Sequence, residues 1–386
     1  MGPPAVENPA LAGEAGEGRV KAVGEVSPNL WEGVRRIVIR SANWVGDAVM
    51  SLPAISSVCR GVPGAEVAIL AKPWVAELFP GYPGVHRAIL YQSPGVHEGI
   101  GGRWKLARQL KKESFDLALH LPNSFESALV SALAGIPRRA GYNTDGRGIL
   151  LTHKVSADGR VKRGHQVEYY LHLVRSLGLQ TAEGIPALTV PQDRIPEAES
   201  ILKSAGGGDG PYVGMSPGAQ YGSAKEWLPE RFGQLGRRID TELGGRFLIL
   251  GSAGDRALAS RIGQTAGKGA VDLTGKTTLG QAMALIARCR VFVTNDSGLM
   301  HVAAALGVPL VAIFGSTDPS RTGPLGRNSR VIHKPISCAP CLKARCLQNR
   351  ECMEAISVEE VFEEVKNLWE SAGQKENSKF QIPNPK

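Results

Sequence analysis

No apolar run in this 386-residue chain reaches the roughly 18–20 residues that a helix needs to cross a bilayer. The N-terminus, MGPPAVENPALAGEAGEGRVKAVGEVSPN, lacks the basic start and apolar core of a secretory signal. MGPPAV also lacks the hydroxyl residue of a myristoylation site. These absences point to a cytosolic protein, and the small, polar and acidic residues of 1–30 to a disordered tail. The Gly-Lys-Ser/Thr order of a Walker A loop is missing, and no G-x-G-x-x-G follows a strand-like run. That counts against a dinucleotide-binding oxidoreductase. The basic residues lack the interleaved aromatics of a single-strand binding surface, so no nucleic acid partner is expected.

What is present is ordinary for a globular chain: 42% hydrophobic and 21% charged residues. The 47 glycines suit many strand-to-helix turns. The net charge of +9 is uneven: 19 Lys and Arg face 12 Asp and Glu in residues 31–190, against 24 and 20 in 191–386. A basic half either attracts an anionic substrate or membrane face or is a solvated surface.

From residue 35 short apolar runs alternate with helical patterns. RRIVIRS (35–41), AEVAILAK (65–72) and DLALHLP (116–122) read as buried strands. DAVMSLPAISSVCRGVPG reads as one helix, and GGRWKLARQLKKESF as an amphipathic helix with a basic face. Around 180–211 the chain turns rich in Pro and Gly, which places a boundary near Pro191. The alternation then restarts with YVGMSP, RFLILGS, AVDLTG, RVFVTN and PLVAIFG as strands. The expected organisation is a tail (1–30), an α/β domain (31–190), a second (191–356), a helix over 357–371 packing toward the junction, and a disordered tail (372–386).

In open α/β sheets, ligands lie at the carboxyl ends of strands. Four such loops carry candidate chemistry. In RSANWVGDAVM (40–50), Asp47 is either a helix N-cap or a carboxylate held over a cleft as general base. In MSPGAQYGSAKEWLPERF (215–232), small residues lead to Ser223 and Lys225, a close backbone approach and a point charge for phosphate, or a surface loop. In LILGSAGDRALA (248–259), Asp255 is placed to bind ribose hydroxyls or to cap a helix. In VTNDSGLMHVAAALG, Ser297 or Asp296 can cap a helix whose first N–H groups make an anion site. His301, at i+4 from Ser297, is a ligand contact or a core residue.

These motifs, in this order, resemble the ADP-heptose–lipopolysaccharide heptosyltransferases over about residues 35–370. SANWVGDAVMSLPAI looks like the family's Trp-Val-Gly-Asp loop, LPNSFESALVSALAGIPRRAGY (121–142) like its Leu-Pro-Asn-Ser segment, SPGAQYGSAKEW like its Lys loop, and TNDSGLMHVAAALGVPLVAIFGSTDP like its most distinctive run. CAPCLKARCLQNRECM looks like the Cys-rich segment of the type II enzymes. The resemblance implies an α/β GT-B architecture: two Rossmann-like domains with mainly parallel sheets facing across a cleft. It implies inverting transfer of heptose from ADP-heptose to inner-core oligosaccharide on lipid A. No paired-carboxylate metal motif accompanies the donor loops, so no metal and no cofactor are expected. Carried over by motif, Asp47 is the general base. Ser223, Lys225, Asp255, Asp296, Ser297, Gly298 and His301 bind the donor, and Asn123 and Ser124 the acceptor. One departure is Glu126, at a place where the family often has Lys.

The acceptor carries carboxylates and phosphates, so the basic first half gains a reason, and Arg138, Arg139, Arg147, Lys162 and Arg163 become candidate acceptor contacts. The expected enzyme is a monomer in peripheral contact with the cytosolic face of a bacterial inner membrane. Cys338, Cys341, Cys346 and Cys352, spaced C-x2-C-x4-C-x5-C, admit a tight zinc site, disulfides, or packing as small apolar or redox-labile residues. Competing readings are a type I or III enzyme or another GT-B transferase, and a non-catalytic binder of lipopolysaccharide or nucleic acid through the basic half. The last would need neither Asp47 nor Lys225.

Overall fold

The computed structural model describes residues 30–379 except 182, 209 and 268, and leaves aside the side chains of 374–379. The tail expected at 1–30 therefore lies, but for Leu30, outside the described residues, as do residues 380–386.

The first half runs β1 (Arg36–Arg40), α1 (Val45–Met50), α2 (Leu52–Gly61), β2 (Glu66–Ala71), α3 (Pro73–Ala76), β3 (Arg87–Leu90), α4 (Gly99–Lys112), β4 (Leu117–His120), α5 (Phe125–Leu133), β5 (Arg138–Tyr142), β6 (His153–Val155), α6 (Gly159–Arg163) and α7 (Gln166–Ser176). Its six strands are parallel, in the order β3-β2-β1-β4-β5-β6. The second half runs α8 (Arg194–Ser204), β7 (Tyr212–Ser216), α9 (Pro229–Leu243), β8 (Arg246–Ile249), α10 (Arg256–Ala266), β9 (Ala270–Asp272), α11 (Leu279–Ala287), β10 (Cys289–Asn295), α12 (Gly298–Ala305), β11 (Leu310–Phe314), α13 (Pro319–Thr322), β12 (Ser329–His333), α14 (Glu351–Glu354) and α15 (Val358–Lys379). Its strands are again parallel, in the order β12-β11-β10-β7-β8-β9.

Both sheets are covered on both faces, which is why their central strands read as continuous apolar runs. In β1, Ile37 and Ile39 join one core cluster while Val38 points into another. In β10, Val291 and Val293 pack on the side of Trp227 and Phe232, and Phe292 on the opposite face. The strands without a clear sequence signal are β3, β6 and β12, which bury one residue each at a sheet edge.

Three expectations are corrected. The single helix expected from Asp47 splits at Ser51, because Pro53 fits only in a first helical turn and opens α2. The late helix does not pack across the junction: Val361, Phe362, Val365, Leu368 and Trp369 of α15 share a core with Val213, Phe232, Ile249 and Val311 of the second half. That helix also runs on to Lys379, so residues 372–379 are helical rather than unstructured.

Each sheet reverses its strand order at one place, between β1 and β4 in the first half and between β7 and β10 in the second. Loops leaving two such strands diverge to opposite faces and leave a crevice at their carboxyl ends. Asp47 follows β1 and Asn123 follows β4; Lys225 follows β7 and Asp296 follows β10. The strongest sequence candidates therefore fall at the two switch points.

Candidate active site

The halves meet through α1 and α12. Glycine makes the approach possible. A methyl on Gly46 would lie 2.9 Å from His301 Cδ2, and one on Gly298 would lie 3.0 Å from Val45 Cβ. The start of α12 is thereby pressed against the start of α1. Ser297 is the N-cap of α12, accepting from Met300 N at 3.4 Å, and it also bonds Thr294 Oγ1 at 3.0 Å. Trp44 occupies the N-cap of α1 with no side-chain cap bond. First-turn N–H groups of a helix have no intrahelical acceptor, so two positive helix ends converge here.

Asp47 is not the cap of α1; it lies in its first turn. Its carboxyl is raised to about 6, first by burial, then by Asp296, against the opposing pull of Lys225. It lines a cavity of about 230 Å³ with Trp44, Asn123, Gln166, Tyr169 and Tyr170. The last three project from one face of α7 at i, i+3 and i+4. Sequence reasoning passed over them, although an HQVEYY run at a helix start is a visible signal. Asn123 is fixed by Tyr169, whose hydroxyl is 2.9 Å from Nδ2 and 3.2 Å from Oδ1. Ser124 caps α5 by accepting from Ser127 N.

Across the cleft, Lys225 Nζ donates to Asp296 Oδ2 at 2.6 Å, and Thr317 Oγ1 donates to the same oxygen at 2.7 Å. The pair is mostly covered, with side-chain exposures of 14% and 6%. Asn295 serves the scaffold: Oδ1 accepts from Trp227 N and Nδ2 donates to Pro217 O. It ties the loop after β7 to the end of β10. His301 is buried, and burial lowers it to about 4, so its ring is neutral at physiological pH. Asp255 Oδ2 accepts from Ser252 N and Ser252 Oγ, both at 2.8 Å, and its carboxylate lies over Gly218 and Gly251 at the ends of β7 and β8. Ser223 is exposed in the loop that leads to Lys225.

The basic acceptor candidates are mostly not in the cleft. Arg138 and Arg139 open β5 and so lie at the opposite end of the sheet. Arg138 Nη1 donates to Leu30 O and Glu32 O; Arg139 donates to Leu150 O and Ile136 O. Arg147 is fully buried and holds the loop after β4 through Pro122 O and Ser127 Oγ. The region of Lys162 and Arg163 ties the halves: Lys162 O accepts from Arg321, and His165 Nε2 is 3.0 Å from Gly323 O.

The four late cysteines are free thiols, so the disulfide reading falls. Among the described residues no group of three or more His, Cys, Asp or Glu is placed to hold a metal ion. The segment buttresses the Lys225 loop instead. Ala224 N and Tyr221 Oη donate to Ala344 O and Leu342 O, and Cys352 and Met353 pack under Gly315.

A family described as glycosyltransferase family 9 (heptosyltransferase) matches residues 103–351. Lipopolysaccharide heptosyltransferase 2 of Escherichia coli is 36% identical over 307 residues, 77% of this chain and 87% of that protein. Its Salmonella typhimurium counterpart is 33% identical over 353 residues, 88% of this chain and 99% of the other. The solved structure of E. coli ADP-heptose lps heptosyltransferase II superposes with a TM-score of 0.74 at 31% identity, covering 88% of this chain and 99% of that one.

Proposed function

Because the chain belongs to glycosyltransferase family 9, the heptosyltransferases, we propose that it moves heptose from ADP-heptose to heptose I of the inner core on lipid A, with inversion and with Asp47 as general base. The observation that carries this reading is the meeting of α1 and α12, which brings a carboxyl raised to about 6 to the mouth of an anion-binding helix start.

The acceptor hydroxyl enters the cavity beside Asn123, Tyr169 and Asp47. Asp47 takes its proton as the oxygen attacks the anomeric carbon. A carboxylate with a pKa near 6 is still ionised at neutral pH and is a stronger base than an ordinary one. The C–O bond to ADP breaks on the opposite face, and charge builds on the diphosphate. The amides at the start of α12, at Ser297 and Gly298, and the ammonium of Lys225 receive that charge as preorganised donors. Asp296 and Thr317 hold Lys225 in place, so Asp296 acts through the lysine rather than against the phosphate. His301 packs the two helices together as a neutral ring and offers a hydrogen bond rather than a charge. Asp255 and Ser223 face the nucleoside end from the loops after β8 and β7.

The enzyme works at the cytosolic face of the inner membrane. No described helix is long and apolar enough to cross it. The surface that suits contact is α4, where Ile100 (76% exposed) and Trp104 (48% exposed) align with Arg108 and Lys111.

The test is turnover. Incubation with ADP-heptose and a heptose-I-bearing core acceptor is expected to release ADP and add one heptose to the acceptor mass. Turnover only with a different nucleotide sugar would overturn the donor assignment.

A further inference from the structure

One wall of the Asp47 cavity is the beginning of α7, which supplies Gln166, Tyr169 and Tyr170. Tyr170 is buried, bonds the Gln166 side chain and feels the charge of Asp47. Two different parts of the molecule hold this helix. Its back is fixed inside the first half: Tyr142 Oη donates to Tyr169 O at 2.7 Å and lies 2.9 Å from His172 Nδ1. Its start is fixed from the second half. His165 is the N-cap, and its Nδ1 accepts from Val167 N at 3.2 Å. A neutral imidazole whose Nδ1 accepts carries its proton on Nε2, and Nε2 lies 3.0 Å from Gly323 O. The ring therefore caps its own helix and donates across the junction at once. Burial lowers His165 below its ordinary value, against opposing pulls from the Gly323 carbonyl and Glu168. The neutral form that the cap bond requires is thus the form present at neutral pH.

Gly323 belongs to a loop with a duty of its own. Thr317 Oγ1 donates to Asp296 Oδ2 at 2.7 Å, and Asp296 holds Lys225. Asp318 then caps α13, and the chain closes on Gly323, where an added Cβ would collide with Pro319 O. Arg321, inside α13, makes a second crossing by donating to Lys162 O at 3.1 Å. The residue that steadies the Lys225 pair and the residue that steadies α7 are therefore six positions apart in one loop. A helix start is where such a tie matters most, because its first N–H groups have no intrahelical partner and its end frays. Without the bond to Gly323, the part of α7 that lines the cavity would be held only from its far side.

Resting on the transfer reading above, we propose that His165 is a positioning residue: its imidazole ties the start of α7 to the Thr317–Gly323 loop of the second half, and so sets where Gln166, Tyr169 and Tyr170 stand relative to Asp47. His165 is not itself part of the cavity lining. It acts through α7, and the half that holds the donor thereby shapes the cavity that takes the acceptor.

Two variants separate the bridge from the cap. His165→Asn keeps a short acceptor where Asn is among the best caps, but it is too short to reach Gly323 O. His165→Gln keeps an N–H donor with the reach of the imidazole and lacks the short cap acceptor. Loss of the bridge should lower kcat of His165→Asn about 10–100-fold while KM for ADP-heptose stays within about twofold, because Thr317, Asp296 and Lys225 keep their bonds. The acid limb of its kcat/KM profile should move below about 6 as water reaches Asp47. The charged groups facing Asp47, Lys225 and Asp296, are unchanged in both variants, so such a movement reports the wall of α7. The urea midpoint of His165→Asn should stay near that of the wild type, since the cap persists. His165→Gln should do the reverse, with a lower urea midpoint and turnover recovered to within about fivefold of the wild type. Turnover that follows the urea midpoint in both variants leaves His165 a helix cap and overturns the positioning role alone. So does His165→Asn with wild-type kcat and an unmoved acid limb. A wild type that releases no ADP in the presence of both substrates overturns the transfer reading and the positioning role with it.

Discussion

The two halves share a fold but not a state of charge. In the second half the polar groups at the switch point answer one another: Lys225 with Asp296 and Thr317, Asn295 with Trp227 and Pro217, Asp255 with Ser252. In the first half Tyr169 answers Asn123, but Asp47 has no ion-pair partner among the described residues, and Arg40 and Lys72 face neutral oxygens. Exposed large hydrophobics also gather there, with Trp44, Trp74, Ile100, Trp104 and Phe125 among them. The lesson is a division of labour. The second half pairs the charges at its switch point within the fold, and the first half leaves Asp47, Arg40 and Lys72 without ion pairs among the described residues.

The sharpest way to break that comparison is Asp47→Asn. It should lower kcat by about 10²–10⁴ while ADP-heptose binding, measured by calorimetry, persists. With Asp47 in place, kcat/KM should rise with pH through about 6 and level off above, since only the carboxylate accepts a proton. The stability sign is opposite. A carboxyl raised above its unfolded value costs stability at pH above about 6, and the cost fades as pH falls toward its ordinary value. Asp47→Asn should therefore stabilise the protein at pH 7.5 by about 1–3 kcal/mol, and a mutant less stable than wild type would contradict the unsatisfied carboxyl.

On the satisfied side, Asp296→Asn should act the other way. It leaves Lys225 without its counter-charge and should cost about 2–3 kcal/mol in urea unfolding, with ADP-heptose KM raised about tenfold. A smaller effect falls on the apolar surface: Ile100→Ser with Trp104→Ser should weaken co-sedimentation with anionic vesicles several-fold and leave turnover of a soluble, delipidated acceptor unchanged. The smallest concerns Arg138→Gln with Arg139→Gln, which should leave acceptor KM unchanged, because both guanidiniums bind carbonyls at the far end of the sheet.

Much of this was legible in the sequence. RRIVIRS and RVFVTN announced central strands because both faces of each are buried, and NDSG announced a capped helix because a serine before a glycine-led apolar run has few other uses. The error over Arg138 and Arg139 was one of direction. A basic pair near a ligand-binding motif looks functional, yet residues that open a parallel strand lie away from the ligand end by construction. Tyr169 and Tyr170 were harder, because the HQVEYY run marks a helix start but not that α7 lines the cavity at Asp47, and Arg147 because its partners Pro122 and Ser127 come from a loop distant in sequence. The cysteines were ambiguous for a related reason: spacing limits what four thiols can do, but only the fold shows that their loop braces Ala224 and Tyr221.

The glycine contact between α1 and α12 has a mechanical consequence. Gly46 lies one residue before Asp47, the proposed base, and abuts His301, and Gly298 opens the helix proposed to receive the leaving group and abuts Val45. The two glycines act as a depth stop with no thickness of its own. Backbone meets side chain here at the closest approach packing allows, so the spacing between the start of α1 and the start of α12 is set by two glycines rather than by any flexible side chain. A single added methyl at either glycine is a shim in that stop, and it would offset both ends of the reaction coordinate at once.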